Sequence, residues 1–153
     1  MIRAMLLLIL GALLTGGLGG CARNEGTAPP AVHYGEDVCA RCGMIVSDDR
    51  FAAAIVAPGD GERFVAVYDD IGEMLDDAEA MSRPGAALWV HDFNTSEWID
   101  ARGAYYCKGG DLVTPMASGI AALPTRDAAE RLAAEYGGEV VDFGGLIEPP
   151  GQR

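Results

Sequence analysis

Basic residues are scarce in this chain. Eleven Lys and Arg stand against 23 Asp and Glu among 153 residues, for a formal net charge of −12. Nucleic-acid phosphates would repel such a surface, which excludes a general nucleic-acid binder. Long apolar runs are missing beyond the first 20 residues. Nothing there approaches the ~18 consecutive apolar residues needed to span a bilayer, which excludes an integral membrane protein. Histidine is rarer still: His33 and His91 are isolated, so no His-x-x-His half-site for zinc exists. The mean hydropathy of +0.14 is raised by the N-terminal segment. The remainder is apolar enough to exclude a disordered acidic tail, and its length suits one domain.

What is present begins with a leader. Arg3 supplies a short positive region, Met5 to Leu14 an apolar stretch, and Leu18-Gly19-Gly20-Cys21 ends in small residues and a cysteine. This resembles the lipobox of bacterial lipoproteins. The resemblance implies a signal peptide over residues 1–20, cleavage before Cys21, a diacylglyceryl group on its sulfur and an acyl group on its new amino terminus. Several acyl chains, each methylene worth ~0.8 kcal/mol when buried, would hold the protein at a membrane surface. Residues 21–35 then read as the lipidated Cys and a flexible tether, since Ala22 to Val32 is rich in Ala, Pro, Gly, Asn and Thr without periodicity.

The folded domain is expected over residues 36–143, with a loose tail at 144–153. Phe51 to Val56 and Arg63 to Tyr68 are strand-like runs around the turn Pro58-Gly59-Asp60-Gly61. Asp70 and Glu73 form a capping-box pattern, and Ile71, Met74, Leu75, Ala78 and Met81 continue with helical spacing. Ala87 to His91 reads as a strand. The order then repeats: strands at Glu97 to Ala101 and Ala104 to Cys107, a helix from Thr125 to about Tyr136, and a strand at Glu139 to Phe143. The expectation is a single α+β domain of two strand-strand-helix-strand (ββαβ) modules.

With Cys21 assigned to lipidation, Cys39, Cys42 and Cys107 remain. The Cys39-x-x-Cys42 pair has three readings: a disulfide, half of a zinc site, or a redox pair. Zinc wants four donors, and no second pair is present. Met44 distinguishes the cluster, because thiolate and thioether together are soft donors that select copper(I). Met74 and Met81 fit the apolar stripe of the helix. Met44 and Met116 instead lie in loop-like settings, Cys42-Gly43-Met44 and Thr114-Pro115-Met116-Ala117-Ser118-Gly119. The copper ligand candidates are therefore Cys42, Met44 and Met116, with Cys39 as a fourth. Gly43 would permit the bend that turns the Cys42 and Met44 sulfurs toward one point.

Six segments, in order, resemble the NosL family of copper-binding lipoproteins: Cys39-x-x-Cys42-Gly43-Met44; Phe51-Ala52-Ala53; Asp69-Asp70-Ile71-Gly72-x-Met74; Trp89-Val90-x-Asp92-Phe93; Trp98-x-Asp100-Ala101; and Thr114-Pro115-Met116-x-x-Gly119. The resemblance implies two ββαβ modules related to the fold of organomercurial lyase. It also implies a non-enzymatic copper(I) carrier, accessory to nitrous oxide reductase, that delivers Cu(I) toward its copper-sulfide site. The implied partners are the reductase apoprotein and its membrane maturation machinery. The implied location is lipid-anchored on the cell membrane or outer membrane, facing the periplasm or extracytoplasmic side. Two departures stand out: family members often carry Cys in the slot held here by Glu73, and Cys107 occupies a slot expected to be apolar. Two other readings stay open. One is an exported thiol enzyme of the organomercurial-lyase type, using Cys39 and Cys42 with Asp69 or Asp70 as the acid. The other is a metal-free module with a Cys39–Cys42 disulfide.

Overall fold

The computed structural model describes residues 26–147. The leader and Cys21 lie outside the described residues. Among the described residues seven strands and four helices follow one another: β1 (Ala53–Ala57), β2 (Phe64–Tyr68), α1 (Ile71–Leu75), α2 (Ala78–Met81), β3 (Ala87–His91), β4 (Trp98–Asp100), β5 (Tyr105–Lys108), β6 (Ile120–Leu123), α3 (Arg126–Tyr136), β7 (Glu139–Asp142) and α4 (Phe143–Ile147). The class is α+β, as expected. No described helix is long and apolar enough to cross a membrane.

The strands form two antiparallel sheets, ordered β2-β1-β3-β4 and β6-β5-β7. In each, the first strand of a ββαβ run is central. Its hairpin partner lies on one side, and the strand after the helix lies on the other. The central strand β1 reads Ala-Ala-Ile-Val-Ala and is buried at every residue, the pattern of a strand covered on both faces. The sheets touch where Asp92 bridges Ala122 in parallel and Phe93 N donates to Ala122 O at 2.9 Å. One core cluster runs through both halves, from Ile55, Tyr68 and Met74 to Tyr106, Ala122 and Leu146. A smaller cluster under α3 contains Phe51, Cys107, Leu123 and Leu132.

Several expectations are corrected. The second module is not built from residues 97–101 and 104–107. β4 extends the first sheet beside β3, and the missing strand is β6. Ile120-Ala-Ala-Leu123 is short, uniformly buried and without alternation, so periodicity could not mark it as a strand. The predicted helix over 70–81 is two short helices. Asp77 breaks it: its carboxylate accepts from Ala80 N at 3.0 Å and from Tyr68 Oη at 2.7 Å, which starts a second cap inside the helix. The tether expected to reach residue 35 is pinned earlier. Trp89 Nε1 donates to Thr27 O at 2.9 Å, Arg63 Nη1 to Ala28 O at 2.9 Å, and Pro30 is buried. The tail expected from residue 144 instead contains α4, whose Leu146 joins the main core.

Candidate metal centre

The cysteine loop is closed by its own backbone. Val38 bridges Ile45, Cys39 N donates to Met44 O at 2.7 Å, and Gly43 N donates to Cys39 O at 3.0 Å. This turn requires φ = +74° at Gly43, a left-handed conformation that a side chain would oppose. Ala40 N donates to Val67 O at 2.8 Å and hangs the loop on the outer edge of β2. Ser47 follows the loop and fastens it again, its N and Oγ lying 2.7 and 3.3 Å from the buried Asp69 carboxylate.

Within this frame the two thiols differ. Cys39 is buried in the core and Cys42 is exposed. The backbone hydrogen bond from Met44 draws the Cys42 pKa down. Desolvation, a hydrogen bond with Cys39 and repulsion from Cys39 and Glu73 outweigh it, leaving the thiol above its ordinary value. Met44 is exposed at 48%, as are its loop neighbours Val38 at 57% and Ile45 at 53%.

Glu73 completes a cluster that the sequence reading did not include. It lies in the first turn of α1, as the capping-box pattern required, and Asp70 does cap that helix through Gly72 N. The Glu73 carboxylate, however, faces the cysteine loop. Oε2 is 4.0 Å from Cys39 Sγ and 3.9 Å from Arg41 Nε. One ligand atom from each of Cys39, Cys42 and Glu73 falls within 4.8 Å of the others. The available signal was the slot itself, where the resemblance expects a thiol.

Met116 arrives from the second module. Asp70 holds its loop: one oxygen accepts from Gly72 N at 2.8 Å, and the other from Thr114 Oγ1 at 2.6 Å and Met116 N at 3.0 Å. Thr114 Oγ1 in turn accepts from Gly119 N at 3.2 Å. The approach is close enough that a Cβ at position 72 would lie 2.6 Å from Ser118 Cβ. Ala117 has φ = +58°, strain that the clamp over-determines. Two of the six segments that carry the resemblance, around Asp70 and around Met116, thus meet in space. The backbone of Met116 is set at the start of α1, next to the turn that carries Glu73.

The remaining candidates fall elsewhere. Met74 is fully buried and Met81 packs against the same core. Cys107 is buried under α3, its Sγ 3.4 Å from Gly137 O, and burial raises its pKa. His91 accepts or donates only within a closed network: Tyr34 Oη lies 2.8 Å from Nε2, Ser96 O lies 2.7 Å from Nδ1, and Trp98 stacks at 3.7 Å. Asp69 and Asp70, the acids of the lyase-type reading, are buried and act as acceptors for Ser47, Gly72, Thr114 and Met116. Their oxygens are engaged in holding the fold together.

Comparison with known proteins places this geometry. The NosL family model matches residues 30–148. The copper-binding lipoprotein NosL of Stutzerimonas stutzeri is 30% identical over 147 residues, covering 88% of this chain and 76% of that protein. The crystal structure of the copper chaperone NosL from Shewanella denitrificans superposes with a TM-score of 0.63 at 19% identity, over 77% of this chain and 94% of that one. At that identity the match is one of fold.

Proposed function

The chain belongs to the NosL family, and from that premise we propose that it is a lipid-anchored copper(I) carrier rather than an enzyme. What supports this reading is that the cysteine loop and the Met116 loop both reach the start of α1, the first through Cys39 beside Glu73 and the second through Asp70. A left-handed glycine separates exposed Cys42 from half-exposed Met44, and the Asp70 clamp brings the Met116 loop to the helix beside them. One thiolate and two thioethers would hold Cu(I) as a neutral complex of soft ligands. Copper(I) accepts two or three donors, so a partner's sulfur or imidazole can add before the first ligands leave. Buried Cys39 would serve as a reserve thiolate rather than the entry point.

The delivery target we propose is the apoprotein of nitrous oxide reductase and its membrane maturation machinery, with Cu(I) passed toward the copper-sulfide site. Acylation of Cys21 would keep the carrier on the extracytoplasmic face of the cell membrane or outer membrane. The excess of acidic residues would speed encounter with a basic docking patch, with an on-rate that falls as salt rises.

Competition against a chromogenic copper(I) chelator under reducing conditions tests the ligand set. Cys42→Ser should weaken binding beyond the roughly 10–100-fold expected for a mere supporting partner. Met116→Leu keeps the side-chain size and removes the thioether, and should weaken it less while leaving thermal stability unchanged. Wild-type copper(I) affinity in Cys42→Ser would overturn the reading; wild-type affinity in Met116→Leu alone would reduce the site to the Cys-Gly-Met loop.

A further inference from the structure

We propose that the domain rests on the bilayer through the end of the first sheet that carries Arg63, Arg83 and Arg102, whose guanidinium groups meet lipid phosphates. The proposal rests on the lipid-anchored reading and adds an orientation to it: the candidate metal centre is held at the other end, turned away from the membrane. The path of the N-terminal segment is the first support. Trp89, in the middle of β3, holds Thr27 O, and His91, at the end of β3, meets Tyr34 Oη. The segment therefore runs along the sheet toward the cysteine loop. Followed backward it leaves at the opposite end, where Arg63, just before β2, holds Ala28 O. An acyl anchor at Cys21 would sit only a few residues before that point. The leash therefore keeps this end near the lipid.

Charge is divided along the same axis. The turn at 58–63, the residues before β3 and Arg102 after β4 come together at the anchor end. There the Arg83 guanidinium lies 3.8 Å over the Phe64 ring, Arg102 Nη1 donates to Ala86 O at 3.1 Å, and Arg63 Nη1 donates to Ala28 O at 2.9 Å. All three arginines are exposed, and among the described residues none makes an ion pair. A guanidinium has five donors, so each keeps donors free for a phosphate oxygen. Asp60, Glu62, Glu79 and Asp100 offset them, which leaves this end close to neutral. The other end is strongly acidic. Arg41 and Arg50 are already paired there with Glu73, Asp76 and Asp48, and Asp49, Asp69 and Asp70 add further negative charge. An anionic bilayer repels that end and accepts the near-neutral one, bringing its arginines among the headgroups. β2 spans five residues between the two ends. The metal centre thus stands roughly 17 Å farther out, beyond the screening length of about 8 Å, where a partner meets it from the aqueous side.

The test expresses the full chain with its leader in a bacterial host and reconstitutes it into vesicles of phosphatidylethanolamine and phosphatidylglycerol. Flotation reports anchoring. Phenylglyoxal, which modifies arginine, then reports which face is covered, with mass spectrometry reading each site. The reference is the Cys21→Ser chain, which lacks the anchor, among the same vesicles. Arg63, Arg83 and Arg102 should react about fivefold more slowly on the membrane, while Arg41 and Arg50 keep their solution rates, and added salt should weaken the shielding. In Arg83→Glu/Arg102→Glu, which changes only exposed side chains, the chain should still float and Arg63 should lose its shielding. A floating chain whose five arginines are slowed alike, or not at all, would overturn the orientation and leave the anchor standing. Shielding of Arg63 that persists in the double variant would overturn the phosphate contacts. A full chain that does not float would overturn the anchor itself, and the orientation with it.

Discussion

The two ββαβ halves follow one plan and differ most at the cap of the crossover helix. In the second half Thr125 caps α3 with its single hydroxyl, accepting from Ala128 N, and the helix runs unbroken for 11 residues. In the first half the same position is Asp70, whose carboxylate has two oxygens. One caps α1, and the other reaches into the opposite module to hold Thr114 and Met116. The helix that follows is short and broken at Asp77. The half with the better helix lends a loop, and the half with the compromised helix holds the cysteine loop and Glu73. A duplicated fold can specialise one copy by changing a single capping residue.

Removing the two caps tests this contrast most severely. Asp70→Ala should destabilise the protein by about 3 kcal/mol or more, because it strands the buried Thr114 hydroxyl and the Met116 N–H, and copper(I) affinity should fall with it. Thr125→Ala should cost about 1 kcal/mol, the ordinary worth of a cap, with copper binding intact. Urea denaturation and chelator competition on both variants measure the difference. Equal losses would mean that the cross-module clamp contributes nothing special.

A smaller effect should appear two residues into each helix. By propensity alone Gly72→Ala would gain about 1 kcal/mol. The contact with Ser118 should reverse that sign, giving a loss of about 1–3 kcal/mol from overpacking. Asp127→Ala, at the matching position of α3, should cost less than about 1 kcal/mol, the value of an exposed acid at a helix start. Thermal melts of the pair decide it; stabilisation by Gly72→Ala would show that the loop yields easily.

The smallest expected effect is a pH dependence tied to the first half, where His91 ends β3. Burial lowers its pKa, against raising influences from Ser96 and Asp49. A histidine whose folded pKa is depressed contributes fully above the unfolded value, near 6.5. That contribution is lost as pH falls below it, because the unfolded chain takes up the proton first. Stability measured from pH 7.5 down to 5 should decline in the wild type and less in His91→Asn. Parallel profiles would remove His91 from the account.

Much of this was legible in the sequence. Strand-like runs and turn residues located β1, β2 and β3, and the Asp70 and Thr125 caps were read correctly as helix starts. Soft donors at Cys42, Met44 and Met116 needed no structure to be noticed. What was hidden has physical causes. β6 is four apolar residues, too short for any period. The break at Asp77 was hidden because local recapping there depends on a buried Tyr68 hydroxyl that the sequence does not place. Glu73 fitted a capping box so well that its other direction went unread, and only the approach of a loop 34 residues away gave its carboxylate thiols to face.

The pinning of the N-terminal segment has a consequence for how the carrier searches. A tether free to residue 35 would have let the domain roam far from its anchor. Because Trp89 and Arg63 already grip Thr27 and Ala28, a leash from the proposed anchor at Cys21 can be no longer than the stretch from Cys21 to Thr27. At 3.3–3.6 Å per residue that leash reaches about 20 Å when fully extended. With Cys21 acylated as proposed, the domain is confined to a thin layer against the bilayer. Copper hand-over then becomes a two-dimensional hunt among membrane-proximal partners, and lengthening the leash by a few flexible residues would dilute the carrier away from them without touching a single ligand.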